Sequence, residues 1–133
     1  MTILNLSERI PVSHRFPGAY RDVGAARRFL ADLLGRNHPC FYDAALLTSE
    51  LATVIMYHAQ ICVFGRDTPE FTVSVRAEPD SVGVTVLSPG CGCWAVPGVT
   101  LGRGLHLVEL IAARSGLVRT LPDPGVWFEL RDR

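Results

Sequence analysis

The sequence has no surplus of either charge. Lys+Arg and Asp+Glu both number 13, so the formal net charge is zero. Nucleic acids and anionic membranes are held by a basic surplus, so neither is expected as the main partner. No apolar run is long enough to span a bilayer, and the stretch from Val82 to Leu87 is short and interrupted by Gly83. Residues Met1 to Arg9 lack the basic-then-apolar order of a signal peptide, which makes the cytoplasm the expected compartment. Internal repeats and low-complexity linkers are absent, and 133 residues are read as one domain, 1–133. Cysteines are few: Cys40, Cys62, Cys91 and Cys93, expected to stay reduced in that compartment. A zinc site needs four converging ligands, and Cys91-Gly92-Cys93 with a distant His38-Pro39-Cys40 lacks the common spacing. No metal site is therefore expected from cysteine, and Cys91 and Cys93 read as small loop residues open to oxidation.

What is present is globular in character, with 48% hydrophobic and 20% charged residues. A neutral chain with pI near 6.9 and positive mean hydropathy suits self-association, or a partner bound through apolar surface. Segment Arg9 to Phe16 alternates and predicts a first strand, which Pro17-Gly18 stops. From Tyr20 to Leu34, Val23, Ala26, Phe29, Leu30, Leu33 and Leu34 recur at helical spacing. Arg21, Arg27, Arg28 and Asp32 lie off that stripe, and Gly35 is placed to cap the helix. A second helix is predicted from Phe41 to Ile61, with Ala44, Leu47, Leu51, Val54, Ile55 and His58 in one apolar sector. Phe71, Val73 and Val75 alternate, as do Val82, Val84 and Val86. Pro79-Asp80-Ser81 between them predicts a hairpin with a loop longer than the tightest type. The Gly/Pro-rich stretch 88–101 has no period and is of the length common in lids and binding loops. Gly102-Arg103-Gly104 opens a third helix, His106 to Ser115, with Leu107, Leu110 and Ile111 inward. Leu117 to Leu121 and Val126 to Leu130 close the chain as strands. Hairpins with helices on one face predict an α+β two-layer sandwich with a mixed, mostly antiparallel sheet.

One constellation carries chemistry. Glu50 stands at the border of the second helix's apolar sector, one turn before Val54. A Gly-rich loop runs into the third helix. Backbone amides of such a loop and the positive end of a helix form an anion cradle, and a carboxylate facing it can act as a base in phosphoryl transfer. The bland reading stays open beside it: Glu50 as a solvated rim carboxylate, and the glycines as what a tight loop needs. His58 on an apolar stripe reads as a hydrogen-bonded core residue, and Trp127 between Val126 and Phe128 as strand packing. Trp94 sits in a polar loop where no core requires it, which makes it a candidate partner contact.

Three stretches together resemble the GHKL ATPase superfamily in its anti-sigma-factor/serine-kinase branch, over about residues 10–131. They are Phe16-Pro17-Gly18 with Ala25-Ala26-Arg27-Arg28-Phe29-Leu30; the helix from Leu46 through Glu50 and Val54 to His58-Ala59; and Pro89-Gly90-Cys91-Gly92, Gly102-Arg103-Gly104-Leu105, then Val126 to Leu130. The resemblance implies the Bergerat-type sandwich of that family. It places Glu50 where the family keeps its general base and His58 where a histidine is common. Gly90 and Gly92 fall at the first glycine box, on the adenine side. Gly102 and Gly104, with Arg103 and Leu105, fall at the second, on the phosphate side. Residues 88–101 take the place of the ATP lid.

Three positions depart from the family. Its Mg²⁺-binding asparagine is Val54, which has no oxygen for a hard cation. Its adenine-reading aspartate is Ser88, and a threonine before the last strand is Gly125. A charge-assisted bond is worth about 1.5–3 kcal/mol, so loss of the aspartate alone weakens nucleotide binding by roughly ten- to a hundredfold. The expectation is a pseudokinase: an anti-sigma-factor-like regulator acting by contact with a sigma factor or an anti-anti-sigma partner, with weak or absent use of ATP and Mg²⁺. The alternative is an active serine/threonine kinase of the same fold with Glu50 as base. Homodimerisation fits either.

Overall fold

The computed structural model describes residues 11–61, 70–88, 103–119 and 123–132. The elements run β1 (Val12–Phe16), α1 (Arg21–Leu34), α2 (Phe41–Ile61), β2 (Phe71–Glu78), β3 (Ser81–Leu87), α3 (Arg103–Ile111), β4 (Arg114–Val118) and β5 (Gly125–Arg131). The five strands form an open sheet in the order β1-β2-β3-β5-β4. The fold is α+β, as the hairpin pattern implies.

The sheet is antiparallel in all four of its pairings, with no parallel ladder among the described residues. The mixed component expected from sequence is lost for a topological reason. β3 and β4 both run antiparallel to β5, so they share a direction, but β5 lies between them and keeps them from pairing.

Alternation decides the faces. Phe71, Val73, Val75, Val82, Val84, Val86, Val126, Phe128 and Leu130 are all buried on one side of β2, β3 and β5. Each fully buried aliphatic or aromatic side chain contributes about 1.5–3 kcal/mol by leaving water. Ala26 and Leu30 of α1, and Ala44, Leu47, Leu51 and Ile55 of α2, belong to the same core cluster. Helix α2 packs against α1, α3 and the sheet. At the β1 edge, Phe16 stacks on Phe71 with ring centroids 5.1 Å apart.

Local chemistry sets the helix ends. Asp22, in the first turn of α1, accepts a 2.7 Å hydrogen bond from the Ala19 N–H. A carboxylate there also meets the positive end of the helix. Gly35 ends α1 with φ of 80° and donates its N–H to the Ala31 carbonyl, in the left-handed region that favours glycine. His38 follows with both ring nitrogens in use: Nδ1 accepts from the Cys40 N–H at 3.0 Å, so Nε2 carries the proton and donates to the Glu78 carbonyl at 2.6 Å.

Four sequence expectations change. The β2–β3 turn has only Pro79 and Asp80 between the paired residues Glu78 and Ser81, so it is shorter than expected. The third helix spans Arg103–Ile111 rather than His106–Ser115, because Arg114 and Ser115 pair with Glu129 and Phe128 in β4. β4 accordingly lies three residues earlier than the predicted Leu117 start. On α3, Val108 is buried and Leu105, Leu107 and Ile111 pack against the core, the last two as expected, whereas Leu110, also expected inward, is 64% exposed. Among the described residues no helix is long and apolar enough to cross a membrane.

Candidate functional site

α2 contributes the carboxylate. Glu50 is half-buried and makes no hydrogen bond or ion pair among the described residues. The hydroxyls beside it are turned back on their own helix: Ser49 donates to the Ala45 carbonyl at 2.6 Å and Thr53 to the Ser49 carbonyl at 2.8 Å. Neither is spent on orienting Glu50. One turn on, Val54 is half-buried and packs against the core cluster, beside Ile55 and Leu51, which are fully buried. An apolar side chain there extends the core toward the helix edge and offers no ligand to a cation.

α3 contributes the helix start. Its backbone begins at Arg103 and Gly104, Leu105 packs against the core, and the helix lies against α2. The helix bearing Glu50 and the helix that begins at Arg103 therefore pack against each other.

Ser88 and Gly125 meet at one end of the strands. Ser88 is buried, and its hydroxyl donates a 2.8 Å hydrogen bond to the Glu70 carbonyl. Its N–H donates to the Pro124 carbonyl at 3.0 Å. Ser88 thus ties the start of β2 to the end of β3 and to the entry of β5. Gly125 pairs with Leu87, and a β-carbon on it would strike the Val86 carbonyl oxygen and lie 2.5 Å from Leu87 Cδ2. A threonine does not fit at this position without backbone movement.

Gly90, Gly92, Gly102 and Trp94, with Cys62, Cys91 and Cys93, lie outside the described residues, as does the rest of the 88–101 loop beyond Ser88. Of His58 only the helical backbone is described, and the same holds for Arg103 and Gly104. The fourth cysteine, Cys40, is buried; burial, then the charges of Asp132, Asp43 and Asp80, push its thiol pKa up. A thiol held neutral is a poor nucleophile and metal ligand.

Two features escaped sequence reasoning. The first is Glu70, whose main-chain carbonyl takes the Ser88 hydroxyl; a backbone acceptor leaves no trace in residue type. The second is a cleft of about 320 Å³ between α1 and α2, lined by Arg27, Arg28, Arg36, Phe41 and Tyr42 over Gly24 and Ala45. Its signal was legible in the two arginines that lie off the apolar stripe of α1.

No family model matches the chain, and no curated protein matches it.

Proposed function

We propose that the protein is a cytoplasmic regulator of the anti-sigma-factor type, related to the GHKL ATPases, that acts by binding a protein partner and makes weak or no use of ATP and Mg²⁺. The observation that carries this reading is Ser88. Its hydroxyl, at the place where the resemblance puts the adenine-reading carboxylate, is spent on the Glu70 carbonyl and buried. A hydroxyl acting on an adenine amine would have to accept from it, and one buried and held on a backbone carbonyl exposes little acceptor surface to a nucleobase. The other two altered positions are committed to the fold in the same way. Val54 packs on the core, and Gly125 leaves no room for a side chain. Glu50 remains as a rim carboxylate suited to a partner contact as well as to a base.

The partner fitting this reading is a sigma factor or its antagonist, and a homodimer is compatible with it. The test is calorimetric titration of the nucleotide-free protein with ATP, with and without Mg²⁺. The expected result is no detectable binding at millimolar ATP. Micromolar, Mg²⁺-dependent binding would overturn the pseudokinase reading in favour of an active serine/threonine kinase. Glu50→Gln would then abolish phosphate transfer to a serine of the partner.

A further inference from the structure

The cleft between α1 and α2 has an unusual lining. Three arginines, Arg27, Arg28 and Arg36, line about 320 Å³ of open space with no carboxylate among the lining residues. None of the three is ion-paired among the described residues, whereas Arg114 and Arg131 both bind Glu129, at 3.3 and 3.2 Å. The cleft therefore gathers three arginines without an ion-pair partner among the described residues, on a chain whose net charge is zero. The chain also contains no lysine, so all 13 of its basic residues are arginines. Arginine presents a planar fork of donors that fits a carboxylate through two parallel bonds.

The rest of the cleft is apolar. Arg36 is held over the Phe41 ring, 5.7 Å from its centroid, and Phe41 in turn meets Tyr42 edge to face at 5.1 Å. Tyr42 is 70% exposed, and Leu46, one helical turn on, is 41% exposed. Residues four apart on a helix are neighbours, so the two form a short exposed apolar ridge that starts from Tyr42 of the cleft lining. The cleft thus offers both cations and an apolar ridge to an occupant. Nucleic acid or a lipid surface would need a wider field of one sign, and α1 and α2 also carry Asp32 and Asp43, both exposed.

We propose that this cleft docks an acidic peptide segment of a partner protein, one that carries apolar side chains among its carboxylates. The carboxylates bind Arg27, Arg28 and Arg36, and the apolar side chains lie on Tyr42 and Leu46. The inference rests on the partner-binding reading above only for the partner being a protein. It does not depend on whether ATP binds, so the two can fail separately.

The test is a titration of the ¹⁵N-labelled full chain with a synthetic peptide of Glu-Asp pairs interspersed with Leu and Phe, followed by NMR. Amide shifts are expected at Gly24, Arg27, Arg28, Arg36 and Tyr42, with affinity falling as salt is raised. Arg27→Ser together with Arg28→Ser is expected to weaken binding by at least about tenfold, the equivalent of one lost charge-assisted contact. Tyr42→Ser is expected to weaken it several-fold, and Arg119→Ser, an exposed arginine absent from the cleft lining, to leave it unchanged. The amide spectrum itself reports whether each variant is folded. Absence of shifts at the cleft overturns the proposal. So does equal binding of inorganic phosphate, which would show that the apolar ridge plays no part. Tighter binding at the same residues by an RNA oligonucleotide or by phosphatidylserine vesicles would assign the cleft to a different class of partner.

Discussion

Gly125 and Thr48 show how single residues are tied into this fold, one by lack of space and one by lack of a partner. Gly125 opens β5 against Leu87, where an added β-carbon meets the Val86 carbonyl. Gly125→Ala is expected to destabilise the protein by about 1–3 kcal/mol, the usual cost of overpacking, read as a lower urea midpoint. An unchanged midpoint would mean that the strand end shifts freely. Thr48 is fully buried on α2, and its hydroxyl has no hydrogen-bond partner among the described residues. A buried, unpaired hydroxyl carries a desolvation cost, so Thr48→Val is expected to raise stability by about 1 kcal/mol. A fall in the midpoint would reveal an acceptor that the hydroxyl uses. At this scale the sequence told residue type but not commitment. Residue type alone does not show that the Ser88 hydroxyl bonds the Glu70 carbonyl, because a backbone acceptor leaves no trace in the sequence. Glu50 was readable as an edge carboxylate because the helical period of α2 is regular, and it is half-buried as that period implies.

Elements were more legible than their ends. α2 spans Phe41–Ile61 as the period predicts, because Ala44, Leu47, Leu51 and Ile55 repeat without interruption and all are buried. α3 was misjudged at both ends because its sequence offers competing signals. Gly104 is a weak helix former yet sits in the first turn, and Arg114-Ser115 continues a plausible helix but is drawn into β4 by pairing with β5. On the side of the sheet away from the core, β4 and β5 carry an ion-pair group centred on Glu129, with Arg114 also 5.9 Å from the Trp127 ring centroid. Partial burial opposes ionisation of Glu129. The hydrogen bond from Arg131, with the charge of and bond from Arg114, outweighs it, so the carboxyl titrates below the usual glutamate range. A group whose folded pKa is lowered stabilises the fold above its unfolded pKa, and the benefit disappears as pH falls through the folded value. Glu129→Gln should therefore lower the melting temperature at pH ~7 and do so less at pH ~3, with the gap at neutral pH shrinking in high salt. A gap independent of pH would show that the side chain acts by packing alone.

At the scale of the whole molecule, hydrophobic alternation in the strands and the two helical stripes were enough to predict the α+β architecture. The pairing order was not, because alternation fixes which face of a strand is buried and not which strand lies beside it. The order β1-β2-β3-β5-β4 depends on β5 entering between β3 and β4, a choice made by long-range contacts that no local pattern encodes. Those contacts also bear on cooperativity. The buried side chains of α1, α2, α3 and of strands β1, β2, β3 and β5 form one cluster, with Leu117 of β4 packed against it. Removing the helices would strip the cover from Phe71, Val73, Val84 and Phe128, and removing the sheet would expose Leu30, Leu47 and Leu51 in the same step. Neither layer keeps a core of its own, so unfolding should be a single cooperative transition. Far-UV circular dichroism, which follows the helices, and tryptophan fluorescence, to which Trp127 on β5 contributes, are expected to give the same urea midpoint. If helical signal were lost well before fluorescence, the sheet would be stable without its helical cover, and one shared core would be the wrong description of what holds this chain together.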